Sequence, residues 1–278
     1  MTAPAPGSNA QSGDGLPIIH MFWHGAALSR LERLCMASFL ANGHVLQLHV
    51  YDEPAGVPGG VQLVDAAATL SRQLIFHHER SGSIAAFADW FRYRLLYDRG
   101  GVWADTDVVC LRPVAYARPE VFARQDEDVI NNAILGLPAR HPLAAWMSES
   151  CEHPNRILPY DTPRVRRRKL SRRLLQGNRR GNIRWGEYGP YGFTAAARHL
   201  GYESLALPFW HFYPVSYENW RCLFDGSLAE NPGLVAGSVA IHLWNEMTRR
   251  APNFDRNGTF PADSLFEQLY ARYVTTDR

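Results

Sequence analysis

What this chain of 278 residues lacks narrows it before anything it contains. Its four cysteines, Cys35, Cys110, Cys151 and Cys222, are scattered and form no Cys-x-x-Cys pair. That spacing supports neither a zinc cage nor a disulfide framework, so a reducing compartment is the simpler expectation. No stretch approaches the roughly 18 consecutive apolar residues that a membrane-spanning helix needs. The first fifteen residues are rich in Ala, Pro, Gly and Ser, and lack the basic start and apolar middle of a secretory signal. They read as a disordered tail on a cytoplasmic protein. Lysine is nearly missing too: Lys169 is the only one. There is no internal repeat and no shift in composition that would mark a second domain, so residues 16–278 are expected to form one domain. A hydrophobic content of 46% with 12% aromatics suits a packed core.

Charge of one sign is concentrated rather than abundant. The net charge is +2, yet ten basic residues and no acid lie between Arg164 and Arg184, so the rest of the chain is net acidic. Basicity confined to one segment argues against a general polyanion binder, and no nucleic-acid partner is expected. The segment, helical from about Arg164 to Gln176, has three readings. It could be a solvated helical insertion, an attachment to an anionic membrane surface at the inner face, or a flap over a diphosphate or an anionic acceptor.

The remaining pattern is α/β. Leu16–Trp23 reads as a buried strand. Ser29 and Glu32 have capping-box spacing before a helix that stops at Asn42-Gly43, and Val45–Tyr51 alternates as a second strand. A helix capped by Ser83 runs to about Asp98 and ends at Gly100-Gly101. Strand follows on either side of Asp105-Thr106-Asp107, which places that triplet at the mouth of the sheet, where open α/β folds bind ligands. Strands over 129–137 and 239–244 and helices over 142–151, 191–200 and 263–273 complete the reading. Two carboxylates flanking a small polar residue can bind one divalent cation through hard oxygen ligands, although an isolated Asp-x-Asp is more often a solvated turn.

The neighbours of the triplet change that balance. The run Ala88-Asp89-Trp90-Phe91-Arg92-Tyr93-Arg94-Leu95-Leu96-Tyr97, followed by Gly100-Gly101-Val102-Trp103-Ala104-Asp105-Thr106-Asp107, resembles the signature of glycosyltransferases with a DXD sugar-binding motif. It is most similar to family 32, and also to the catalytic domain of the clostridial glucosylating toxins. Ile19-His20-Met21-Phe22-Trp23 resembles the family's opening strand, and His242-Leu243-Trp244-Asn245 its C-terminal His-x-Trp-Asn. Ala88 departs from the family's usual serine.

The resemblance implies a GT-A-type nucleotide-diphospho-sugar transferase with a Rossmann-like mixed central sheet. Its expected reaction is metal-dependent transfer of a hexose with retention, from a nucleotide sugar (UDP-hexose, with GDP-mannose the other donor considered) to a glycan or glycolipid, forming an α-linkage. Carried over by residue, Asp105, Asp107 and His242 would hold Mn2+ or Mg2+. The donor would meet Phe22, Trp23, Asp89, Arg92, Trp103, Asp105, Thr106, Trp244 and Asn245. Asn131 and Asn132 would line the acceptor side, against a plain turn. Glu187, in a loop that resembles the family's Gly-Pro turn before a helix, is the candidate acceptor-side base, against a structural loop. Two rival classes stand beside this. A haloacid-dehalogenase-like phosphatase shares the Asp-x-Asp-x-Val pattern but needs a catalytic lysine. A non-catalytic carbohydrate-binding protein would need no metal ligands.

Overall fold

The structure, a computed structural model, describes residues 15–230 and 233–274, so the expected tail lies outside it except for Gly15. In chain order the elements are β1 (Ile19–Trp23), α1 (Arg30–Ala41), β2 (Leu46–Val50), β3 (Gln62–Asp65), α2 (Ala85–Arg99) and β4 (Gly101–Ala104). Then come β5 (Val108–Cys110), β6 (Val121–Arg124), β7 (Ile130–Leu137), α3 (Pro142–Glu152), α4 (Pro163–Leu175) and α5 (Pro190–His199). Short 3-10 turns occupy much of the stretch from Glu203 to Glu230. The chain closes with α6 (Gly233–Ala236), β8 (Ala240–His242), α7 (Asn245–Arg250) and α8 (Leu265–Tyr273).

Six strands form one mixed sheet in the order β3-β2-β1-β4-β7-β6. The first four are parallel, and β7 turns back antiparallel to β4. This is the mixed α/β sheet expected from the sequence. Its central strands are buried on both faces, as parallel strands covered by helices must be. Along β1, Ile19 and Met21 join the core under α1, while Phe22 points to the opposite core with α2, α3 and α5. Trp103 and Val102 divide the same way on β4.

Ser29 and Glu32 form the anticipated capping box at the start of α1. Ser83, by contrast, lies one residue outside the cap of α2: the cap residue is Ile84, and the Ser83 hydroxyl accepts from the Ala85 N–H. At the other end of α2, Gly100 (φ 67) and Gly101 (φ 100) take left-handed backbone that no side chain would favour. A Cβ on Gly100 would sit 2.6 Å from the Ala139 nitrogen, so the double glycine is needed to swing the chain from α2 straight into β4.

Candidate active site

Asp105 leaves β4 with its N–H donating to Ala133 O of β7 at 2.8 Å, and the Val108 N–H closes the turn onto Asp105 O at 3.1 Å. Asp105-Thr106-Asp107 is therefore a tight turn at the end of the sheet, where the sequence put it. β5 continues from it and pairs antiparallel with β8, matching Val108 with His242. Through that small ladder His242 arrives beside Asp107, its Nε2 3.1 Å from Asp107 Oδ2.

Asp105 is oriented by groups nearby in sequence. Arg92 Nη2 donates to its Oδ1 at 2.5 Å, and Trp103 Nε1 donates to the same oxygen at 2.6 Å. Arg92 also reaches Asp89 Oδ1 at 2.8 Å, so one guanidinium bridges two carboxylates, as its planar fork permits. Asn132 Nδ2 donates to Asp89 Oδ1 at 3.1 Å and to the Tyr93 hydroxyl at 2.7 Å, and Tyr93 in turn donates to Tyr188 O at 2.7 Å. Burial pushes the Asp89 carboxyl up to about 6, with Arg92 pulling it down and Asp105 adding to the rise. Burial likewise raises Asp105, opposed by Arg92 and reinforced by Asp107.

Asp107 is oriented from far along the chain. The Asn245 N–H donates to its Oδ2 at 2.7 Å, and the Leu243 N–H donates to Asp107 O at 2.8 Å. Burial would raise this carboxyl, but the contact with His242 and the hydrogen bond from the Asn245 N–H hold it below the usual carboxylate range. The backbone that aims Asn245 is unusual: Trp244 sits at φ 55, ψ 54, a left-handed conformation that is a true outlier for a bulky residue.

Asp105, Asp107 and His242 offer ligand atoms within 4.8 Å of one another. The set fits a divalent cation on its own chemistry. Arg92 serves Asp89 and Asp105 while Asp107 has only His242 beside it, and the buried His242 Nδ1 has no hydrogen-bond partner. Two carboxylate oxygens and one imidazole nitrogen are a donor set that can hold a divalent cation.

Several expected roles are corrected by position. Phe22 is buried and stacks on Phe91 at 4.7 Å, so it supports the core instead of framing a base. Trp103 is fully buried under Arg92, and its role is to hold Asp105 and Arg92, not to lie against a donor. Trp244 is buried against Tyr213 and His242, with its Nε1 donating to Val215 O at 2.9 Å. Asn131 bonds Gln125 and the Ala133 N–H, which makes it a brace within β7 and its neighbouring loop; Asn132 stands behind Asp89.

Glu187 is not free to act as a base. Arg172 Nη1 donates to its Oε2 at 2.9 Å, the Arg184 N–H at 3.0 Å, and Lys169 lies 3.9 Å from Oε1. Its loop does cover the site, since a Cβ on Gly189 would come 3.5 Å from Asp89 Oδ2. Thr194, farther along, ties α5 to Ile130 of β7. Trp23 is partly buried with an unpartnered Nε1, and Thr106 is half-buried at the turn. Sequence reasoning missed Tyr93 and Tyr213. Tyr213 packs edge-on against His242 at 5.8 Å, and the aromatic density of Phe209-Trp-His-Phe-Tyr213 was the available signal.

Two family models match, and they divide the site between them. The "glycosyltransferase sugar-binding region containing DXD motif" covers residues 64–129, with Asp89, Arg92, Asp105 and Asp107 inside it. The "alpha 1,4-glycosyltransferase conserved region" covers 182–273 and includes His242 and Asn245. The chain carries both regions of the DXD-type glycosyltransferases. Lactosylceramide 4-alpha-galactosyltransferase of Pongo pygmaeus is 28% identical over 209 residues, spanning 69% of this chain and 80% of that protein. Alpha-1,4-N-acetylglucosaminyltransferase of Homo sapiens is 26% identical over 200 residues, spanning 67% of this chain and 49% of that protein. The match thus extends over only about half of the human relative. Among solved structures, the PaToxG glycosyltransferase aligns over 93% of this chain and 86% of its own at 14% identity with a TM-score of 0.42. That likeness is loose, and the assignment of this glycosyltransferase rests on the two family models and the site they share.

Proposed function

We propose that this glycosyltransferase moves a hexose from a nucleotide diphosphate sugar, UDP-hexose foremost, to a glycan or glycolipid acceptor, with retention and formation of an α-linkage. The observation that carries the reading is the meeting of Asp105, Asp107 and His242 at the mouth of the sheet, with Asp89 and Arg92 beside them. A divalent cation held by Asp105, Asp107 and His242 would neutralise charge on the leaving diphosphate, a Lewis-acid contribution of several kcal/mol. Arg92 fixes both Asp89 and Asp105, and their remaining lone pairs would be available to donor hydroxyls. The Asn245 N–H keeps Asp107 ionised and aimed. Glu187 is committed to α4, so in this reading the acceptor proton passes to the leaving phosphate and not to a protein carboxylate. Curated relatives named for galactose and N-acetylglucosamine transfer leave the hexose to be found by experiment.

The phosphatase alternative loses support, because the only lysine, Lys169 on α4, is bound to both oxygens of Asp161. A panel of UDP- and GDP-sugars with Mn2+, assayed for donor hydrolysis and for transfer to glycan and glycolipid acceptors, tests the proposal. Mn2+-dependent turnover of one donor, lost on chelation, is expected. A folded protein that neither binds nor turns over any nucleotide sugar with metal present would sink it.

A further inference from the structure

α4 is built inside out. Its inward side carries Lys169 and Arg172, both buried, with Lys169 Nζ 2.8 and 3.0 Å from the Asp161 carboxylate and Arg172 bonded to Glu187 at 2.9 Å. Its outward side carries the leucines: Leu170 is 39% exposed, Leu174 77% and Leu175 81%. An ordinary surface helix buries leucine and exposes cations. Arg164, Arg167, Leu170 and Leu174 succeed one another at spacings of three and four, hence on one face. Arg164, Arg166, Arg167, Arg168 and Arg173 are exposed around that face, and the helix contains no acid.

We infer that the outer face of α4 docks on an anionic lipid bilayer. Guanidinium groups pair with lipid phosphates through two N–H donors, which fits a cationic segment made almost wholly of arginine. The leucines are what separate a bilayer from a soluble polyanion. Cations alone would serve nucleic acid or heparin, whereas exposed leucines between them gain only where apolar acyl chains begin. The two inward ion pairs fix which way the helix faces, and Glu187 belongs to the loop over Asp89. Docking therefore holds the acid site at a set orientation to the surface. This inference stands whichever donor and acceptor the enzyme uses.

Flotation of the full chain with vesicles of phosphatidylglycerol and phosphatidylcholine, against phosphatidylcholine alone, tests it. Binding to the anionic vesicles, weakened by salt and small on the neutral ones, is expected. Arg164→Gln and Arg167→Gln should each lower partition about fivefold. Leu174→Ser with Leu175→Ser should lower it about tenfold, with the circular dichroism spectrum and heparin retention unchanged. No flotation with anionic vesicles overturns the inference. So does a leucine variant that floats as the parent does, which would mark a solvated helix or a site for soluble polyanions. Leu174→Ala only trims a side chain that is 77% exposed and should lower partition about threefold, so the leucine test stays decisive even if the serine variant folds poorly.

Discussion

The two aspartates of the triplet differ in what holds them. Asp105 is closed by Arg92 and Trp103, both within a few helical turns of sequence, and the guanidinium it shares with Asp89 is only 5% exposed. Asp107 is held by the imidazole of His242 and the N–H of Asn245, delivered by β8 from the far end of the chain. The first arrangement is one buried guanidinium serving two carboxylates, so that removing the cation leaves both stranded. The second is an acid beside a histidine with a free nitrogen, a combination that could take a metal ion. One carboxylate is therefore braced by its own neighbourhood and the other from the far end of the chain, although both belong to one three-letter motif.

The sharpest way to break that distinction is Asp107→Asn. Shape is kept and one hard ligand charge is lost, so turnover should fall by at least about a thousandfold. Mn2+ binding by calorimetry should vanish while the urea midpoint barely moves. Retained Mn2+ affinity would mean that Asp107 is not the metal arm. Arg92→Met should show the opposite balance: about 3 kcal/mol of stability lost in urea denaturation, because Asp89 and Asp105 are left buried without their cation. An Arg92→Met protein as stable as the parent would show that the pair is not a closed structural unit.

The closed arm was legible in the sequence, and the open arm was legible only by resemblance. Asp89, Arg92 and Asp105 lie on one helix and the strand it feeds, and spacing alone puts Asp89 and Arg92 on one face. Nothing local relates His242 to Asp107; the register of β5 against β8 does, and strand register cannot be read from so short a run. The sheet centre was legible for the same reason that β3 and β6 were not. Gln62–Asp65 is a largely exposed edge with no apolar period, and β6 is the other edge. Glu187 was misread because its partners, Lys169 and Arg172, come from a helix whose outward leucines mimic a buried stripe. Phe22 and Trp103 were placed against a ligand because an aromatic near a motif looks the same from sequence whether it faces the pocket or the core.

Acid separates frame from site in another way. His20 and His49 touch across β1 and β2, Nδ1 to Nε2 at 3.2 Å, away from the aspartates. Burial, with Arg99 nearby, lowers His20 to about 4, and burial with the neighbouring His20 lowers His49 to about 3. Both are neutral when folded and take up protons when unfolded. Their contribution is therefore fully present above about pH 6.5 and is lost as pH falls toward 4. His20 alone accounts for about 3 kcal/mol on that scale. Urea midpoints measured from pH 7 to pH 4.5 should fall steadily, and His49→Gln should flatten the slope. A slope unchanged by that substitution would place the acid sensitivity elsewhere.

Glu187→Gln is expected to do least to catalysis, and that is its value. Glu187 shares the site's neighbourhood but spends its carboxylate on Arg172 and the Arg184 N–H. Glutamine can still accept from Arg172, so turnover should stay within about threefold, while stability falls by about 1 kcal/mol as a charge-assisted hydrogen bond becomes an ordinary one. A base withdrawn from the acceptor would behave otherwise, with a rate loss of about a hundredfold or more and a missing limb in the pH–rate profile. Were that seen, Glu187 would have to leave Arg172 during turnover, and α4 would be part of the catalytic cycle instead of an anchored platform beside it.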